Sequence, residues 1–514
     1  MGFLGMKQST NITAALLYDL IQCPHRPTMD LFGDPSKRDE IDAFVQLLWD
    51  KGTAFEHEVI DGLTVPICDL SGFSGDEKES LTFEAMRRGE PLIYSGRISV
   101  DDLLGKPDLL RREGDGYVAG DIKSGSGEHG EGSDSKLKKH YGVQLALYTD
   151  ILERRGFASS RRPFVWDVHH EEVTYDLEAQ QGKRAPWTMW ELYQTALARA
   201  QGIVARTEQT SPAYCASCKL CHWRAACLED LEKSDDLTLL PELGRKKRDS
   251  MSARIATVSE LATINIGSFI AGEKTEFPGI GSNTLNKFRK RAILAKTKDA
   301  RPYLTAPINL PQTEKELFFD IEVDPMRDLC YLHGFVERLG GDISTERYTS
   351  FFADAVSVDE EERVFAEAWH YIGDSQPCIV YYYSKYERTI WRQLQAKYPS
   401  VCSAEDIESM FDPSQSVDLY YDVVKRATEW PTRDYSIKTL ARFLGFRWRD
   451  THPSGAASIE WFHRWIQTGD TAIKQRILDY NEDDCRATRV VLDGVCSLSL
   501  PASNLTSRDK ESAN

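Results

Sequence analysis

The stretch 105–125, GKPDLLRREGDGYVAGDIKSG, leaves the chain few ways to fold. Two runs, LLRR and YVAGDI, flank Gly114-Asp115-Gly116, the composition of a tight turn between paired strands. Side chains alternate across a strand, so residues two apart share a face. A hairpin here gathers Asp108, Asp121 and Lys123. Two carboxylates suit a hard divalent cation, and a lysine beside them can steady an attacking water or a developing negative charge.

At 514 residues the chain has room for about two to four domains, each with its own core. Its formal charge of −17 provides no global basic field, so any affinity for nucleic acid must be local. Eleven cysteines without a signal peptide point to a reducing compartment, where clustered cysteines hold metal more often than disulfides. The start, MGFLGMKQST, has no long apolar run, and Met6 breaks the myristoylation pattern. With no segment of about 20 apolar residues, no membrane span is expected. The expectation is a soluble, cytoplasmic protein.

Before the hairpin, ITAALLYDLIQCPHRPTMDLFGD reads as a helix stopped by Pro24, with Cys23 at its end. Residues 51–60, KGTAFEHEVI, follow helical sequence. They carry Glu56, which can point inward as a further metal ligand or join a solvated acidic face. After the hairpin, 125–135 is a loop of Gly, Ser and acids. The next helix, KLKKHYGVQLALYTDILERRG, sets Gln144 and Tyr148 side by side at i and i+4, facing solvent or a phosphate. CASCKLCHWRAAC then places Cys215, Cys218, Cys221 and Cys227 within 13 residues, a strong metal-site signal. Zinc held by this group alone is one reading. The other is a [4Fe–4S] cluster on Cys218, Cys221, Cys227 and distant Cys23, clasping the start of the domain to its end. Spacing alone does not choose the metal.

The order Cys23-Pro24-His25-Arg26, Gly52 with Glu56, Pro107-Asp108, Asp121-x-Lys123, Gln144-x3-Tyr148 and Cys218-x2-Cys221-x5-Cys227 resembles a RecB-type PD-(D/E)XK nuclease. More narrowly it is similar to the iron–sulfur branch containing the CRISPR-associated exonucleases and the AddB nuclease domain. The likeness spans residues 10–232. It implies Asp108 and Asp121 as metal ligands and Lys123 acting on the water. It also implies Glu56 as an outer ligand where many relatives carry His, with Gln144 and Tyr148 positioning substrate. Cys215 is surplus to that pattern.

Between residues 244 and 304, 13 Lys and Arg face five Asp and Glu, a net of +8 within an acidic chain. TVSELATINI and FPGIGSNTLNKFRKRA resemble a helix-hairpin-helix unit. Gly279 and Gly281 would present backbone N–H groups to a phosphate at a helix N-terminus, gripping the backbone without reading sequence.

From Leu317 a second acid set begins. LFFDIEVDP puts Asp320 and Glu322 on one side of a strand. IVYYYSKYERTIW places Glu387 at the start of a helix, and RILDYNEDDCRATRVVL places Asp484 on another, one turn after Tyr480. Four such acids on two metal ions suit hydrolysis. Asp418 is read as a helix-start residue. The set is similar to the DEDD exonucleases of the RNase H-like superfamily, in their tyrosine subtype, over residues 315–497, with YSIKTLARFLGF as the helix before the third motif. Two departures stand out: Glu387 replaces Asp, and Tyr383 occupies the usual Asn position. Glutamate is one methylene longer, which puts the second site's activity in question.

The whole most resembles RecB-like nucleases fused to a YprB-type RNase H-like domain. The expected architecture is α/β and multidomain. A PD-(D/E)XK restriction-endonuclease-like core spans 1–235, a small basic helix-hairpin-helix module 236–312, an RNase H-like domain 313–500, and a disordered tail 501–514. The expected function is Mg2+- or Mn2+-dependent DNA hydrolysis, exonucleolytic on single-stranded ends, in repair, recombination or defence. The resemblance implies 3′-to-5′ trimming for the second domain. Lacking a Gly-x4-Gly-Lys-Ser/Thr stretch, the chain would rely on a separate helicase for unwinding. The alternatives are an RNA-processing exonuclease or a nucleic-acid-binding scaffold with one or both centres inactive.

Overall fold

The computed structural model describes residues 11–41, 43–129, 136–182 and 186–500. The tail expected at 501–514 and the second half of the 125–135 loop lie outside these residues. Two compact units form: one runs to Pro212 and adds Ala216–Leu228, the other comprises Ala213–Cys215 and the chain from Glu229.

The first unit is built on a mixed six-stranded sheet. Its spatial order is Glu172–Thr174, Phe164–Trp166, Gly116–Ile122, Leu109–Glu113, Leu92–Tyr94 and Cys68–Asp69. The hairpin is present, with Leu109 opposite Gly120 and Glu113 opposite Gly116. Its turn needs the left-handed backbone that glycine adopts at no steric cost, and Gly114 has φ +60°. All seven residues of the central strand Gly116–Ile122 are shielded, as expected for a strand covered on both faces.

Helix Ala14–Gln22 is capped by the Thr13 hydroxyl, which accepts from Leu16 N at 3.1 Å, and it ends at Cys23 as read from Pro24. The helix expected from Lys136 begins later, at Lys139, because Lys136–Leu137 pair instead with Glu128–His129 as short strands. Lys139–Arg155 packs against Ala14–Gln22 and Met189–Val204 in the main core.

In the second unit the basic segment closes a small core of its own, including Leu261, Phe277, Ile280, Leu285 and Phe288. Helix Val258–Thr263 carries a reciprocal Thr257–Glu260 capping box. A hairpin of Ile270–Ala271 and Lys274–Thr275 follows, then helix Ser282–Lys296. Gly279 takes φ +79°, and Gly281 is the N-cap of that helix.

The rest of the unit holds a five-stranded sheet ordered Asp342–Phe352, Leu329–Leu339, Lys315–Asp324, Cys378–Tyr382 and Ser416–Asp418. The first three strands are antiparallel and the last two join in parallel. The period of two divides the central strand between two cores. Leu317, Phe319 and Ile321 pack on the side of helices Val358–Asp374 and Tyr386–Lys397. Phe318 faces the other way, toward helices Gly455–Thr468 and Thr471–Cys496, and Asp320 and Glu322 share its side. Among the described residues no helix is long and apolar enough to cross a membrane.

Candidate active sites

In the first unit the hairpin does what its sequence requires. Asp108 leads into one strand and Asp121 is the penultimate residue of the other. Asp108 Oδ2 accepts the backbone N–H of Ile122 at 2.8 Å, which fixes the carboxylate across the hairpin mouth. Lys123 Nζ lies 3.0 Å from Asp121 Oδ2, and Asp121 is buried. Burial and the Asp121 charge push the Asp108 carboxyl well above its usual range, against the pull of Lys123. For Lys123, burial works against the charge, but Asp121 and Asp108 outweigh it and hold the ammonium above its ordinary range. Two mutually repelling carboxylates beside one fixed ammonium form a site short of positive charge, the condition that favours a bound divalent cation.

Glu56, on helix Ala43–Gly62, is half-buried and accepts the Tyr94 hydroxyl at 2.9 Å. Its charge is felt by Asp108, so it stands at this site and not on a solvated face. Gln144 Nε2 donates to the Tyr148 hydroxyl at 3.2 Å, and that hydroxyl donates to the Lys106 carbonyl at 3.3 Å. Tyr148 is 2 % exposed, and its ring lies so close to Gly105 that a Cβ there would come within 2.7 Å of Cδ1. Tyr148 therefore braces the 105–108 segment carrying Asp108; it does not face solvent. Tyr94 and Lys78, which donates to the Ser95 hydroxyl at 2.9 Å and feels the Glu56 charge, join the site without any linear motif to announce them.

Cys218, Cys221 and Cys227 belong to the same unit, within Ala216–Leu228, while Cys215 falls in the second. Asp30 accepts from the Trp223 indole and bonds the His222 ring, both at 2.8 Å, and Asp39 N donates to the His222 carbonyl at 2.7 Å. Trp223 packs against Gly33, where a Cβ would come within 2.9 Å of the indole. Burial pushes the Cys221 thiol up, and nearby Cys23 adds to the rise. The N-terminal helices and the cysteine loop are thus fastened together on the side where Cys23 and Cys221 approach.

In the second unit Asp320, Glu322 and Asp484 each bring a carboxylate oxygen within 4.8 Å of the other two. Glu387 is outside that triad but close to it: burial pushes its carboxyl up to about 8, with Asp418 and Asp484 adding to the rise. Its Oε2 is buried without a hydrogen-bond partner among the described residues, an orphaned acceptor that a cation would satisfy. Burial and Asp484 raise Glu322 to about 8, and burial, Asp484, Glu322 and Glu387 raise Asp320 well above the usual range. These residues fit a divalent ion. Asp418 caps the turn at Leu419–Val424, accepting from Tyr420 N and Tyr421 N at 3.0 Å each. Tyr383 donates its hydroxyl to the Tyr435 carbonyl at 2.6 Å.

Tyr480 is buried one turn before Asp484. Lys438 Nζ donates to its hydroxyl at 2.8 Å and lies 3.4 Å from Asp484 Oδ2. The Trp448 indole donates to Asp484 Oδ1 at 2.7 Å, and Asn481 Nδ2 donates to Asp320 Oδ2 at 2.9 Å. Lys438 lies inside YSIKTLARFLGF, one turn before a second cation, Arg442, and nothing in that spacing singles it out. Asn481 and Trp448 gave no hint either.

A family model of the PD-(D/E)XK nuclease superfamily matches residues 34–228, and one of the RNase H superfamily matches residues 317–496. The chain carries a domain of each superfamily. It is therefore a nuclease, a divalent-metal-dependent hydrolase of phosphodiester bonds, and its substrate is nucleic acid. No curated protein matches the chain.

Proposed function

We propose that this nuclease is a two-centre DNA exonuclease that trims single-stranded ends. The observation that carries the reading is the pairing, in one chain, of an Asp108–Asp121–Lys123 centre with an Asp320–Glu322–Asp484 centre. Asp108, Asp121 and Glu56 would hold Mg2+ or Mn2+ in the first, and Asp320, Glu322, Glu387 and Asp484 in the second. When bound there, such an ion would supply Lewis acidity toward the phosphate and lower the pKa of water. Lys123 places its ammonium where negative charge develops on the scissile phosphate. In the second centre Tyr480, its hydroxyl oriented by Lys438, holds the attacking water.

Cys23, Cys218, Cys221 and Cys227 are assigned to a [4Fe–4S] cluster, with Zn2+ as the other occupant of a four-thiolate site. The approach of Cys23 to Cys221 and the Asp30 clasp support a ligand set drawn from both ends of the unit. The module at 236–312, with Gly279 and Gly281 at the start of helix Ser282–Lys296, grips DNA backbone. A separate helicase supplies single strands, in the cytoplasm, during repair, recombination or defence.

The test uses 5′- and 3′-labelled single-stranded DNA, the same sequence as RNA, and a circular single strand, each with Mn2+. The proposal expects ladders from the linear DNA, an intact circle and slower RNA cleavage. Cutting of the circle at the linear rate would make the activity endonucleolytic, and faster RNA cleavage would make RNA the substrate.

A further inference from the structure

A row of rings leads away from the first centre. Tyr141, in the first turn of helix Lys139–Arg155, has Lys123 Nζ 5.8 Å and Lys138 Nζ 5.3 Å from its ring centroid. His140 lies 4.6 Å from Tyr141 and 4.7 Å from Tyr18 of helix Ala14–Gln22, with His129 at 6.1 Å on its flank. Tyr18, His140 and Tyr141 are half-buried, and His129 is exposed. His140 is held in place by Gln22, whose Nε2 lies 3.2 Å from its Nδ1.

We propose that Tyr141, His140 and Tyr18 form a stacking track for the unpaired bases of a single nucleic-acid strand, with Lys138 and Lys123 holding its phosphates beside the Asp108–Asp121 carboxylates. This rests on the nuclease reading of that centre and adds the residues that hold the unpaired bases.

Three features favour this occupant over a purely structural cluster. The rings meet edge-to-face at 72° and 76°, or tilted at 33°, so none of these pairs is stacked face on face. Ammonium groups flank the ring nearest the carboxylates, which suits a polyanion carrying aromatic bases. Burial and the neighbouring Lys138 charge lower His140 to about 4, so the ring is neutral near pH 7 and adds an aromatic face. Every base has a π-face, so such a track tolerates any sequence. A duplex keeps its bases stacked on one another and cannot use it.

The experiment uses full-length protein carrying Asp320→Ala, which silences the second centre. Fluorescence anisotropy in Ca2+ compares a labelled oligothymidylate with an abasic strand of equal length. Tyr141→Ala and Tyr18→Ala are expected to weaken oligothymidylate binding by about tenfold each, leave abasic binding unchanged, and be rescued by Tyr→Phe. Equal affinity for oligothymidylate in all variants, or equal losses on both strands, overturns the track. If the alanine variants melt at lower temperature, Tyr18→Leu and Tyr141→Leu, which keep apolar bulk, decide by the same comparison. Mn2+-dependent cleavage of the abasic strand reports the centre separately. Loss there only with a further Asp121→Ala keeps the nuclease reading whatever the anisotropy shows, and cleavage that survives Asp121→Ala removes that reading while the anisotropy still decides the track.

Discussion

Asn481 Oδ1 occupies the space where Gly334 would carry a Cβ, which would stand 1.6 Å from it. Gly334 is paired in register with Asp320, and Asn481 Nδ2 donates to that Asp320. A glycine in the middle of a strand thus lets a helix side chain reach the first carboxylate of the second centre. Gly334→Ala must push Asn481 aside, and the strained contact is with a buried amide, not the end of a flexible chain. We expect about a 100-fold loss of second-centre cleavage, the scale associated with misplacing a catalytic group by about 1 Å. Product ladders from an Asp121→Ala background would show it, and an unchanged ladder would contradict the packing argument.

Lys438 joins Tyr480 to Asp484 through one ammonium. Lys438→Met keeps the stem and removes both contacts. The expected result is a loss of about 10²-fold in turnover by the second centre with little change in KM, since the contact orients the reacting water and does not bind substrate. A change confined to KM would assign Lys438 to substrate binding.

Arg291 lies in helix Ser282–Lys296 with its side chain 1 % exposed, and donates to Glu429 at 2.7 Å, Glu242 at 2.9 Å and the Pro241 carbonyl at 2.7 Å. Arg291→Met leaves Glu429 buried without its counter-charge, a change of about 3–5 kcal/mol. Denaturant unfolding of the second unit should register it. A loss under about 1 kcal/mol would mean that Glu429 is satisfied by the Tyr435 hydroxyl alone.

Burial raises Glu387 and Glu322 from 4.5 to about 8. Between those values the unfolded chain has released these protons while the folded protein keeps them. The metal-free protein must then lose stability as pH rises through that window, and the loss levels off above it. A cation competes with the same protons, so Mn2+ should raise the melting temperature more at pH 8.5 than at pH 6. A melting temperature in EDTA that climbs between those pH values would contradict the assignment.

Asp30→Ala removes the acceptor of both the Trp223 indole and the His222 ring. With Trp223 1 % exposed, the orphaned indole N–H should lower the stability of the first unit by about 1–3 kcal/mol. Metal analysis of the same variant should show reduced iron or zinc content. Full content with full stability would separate the clasp from the cysteines.

One pair in each acid set was legible because it rests on a local rule, whereas Glu387 and Asp484 lie in separate segments that no local rule joins to Asp320. A two-residue period puts Asp320 beside Glu322, and a turn at Gly114 returns Asp121 to Asp108. The Asp418 cap was readable for the same reason. The start of the Lys139–Arg155 helix was not, because Lys136–Leu137 found strand partners at Glu128–His129 that helical periodicity does not reveal. Gln144 and Tyr148 were placed together correctly, yet their inward direction depends on Gly105 lacking a side chain. Lys438, Trp448, Asn481 and Tyr94 reach the two centres only once the elements are packed, and no spacing within their own segments encodes that.

The central claim is that two separate hydrolytic centres act in this chain. The most direct test is Mn2+-dependent cleavage of end-labelled single-stranded DNA by wild type, Asp121→Ala, Asp320→Ala and the double variant. The account predicts that each single variant loses a different set of products and that the double variant cuts nothing. Wild-type cutting by the double variant would contradict it.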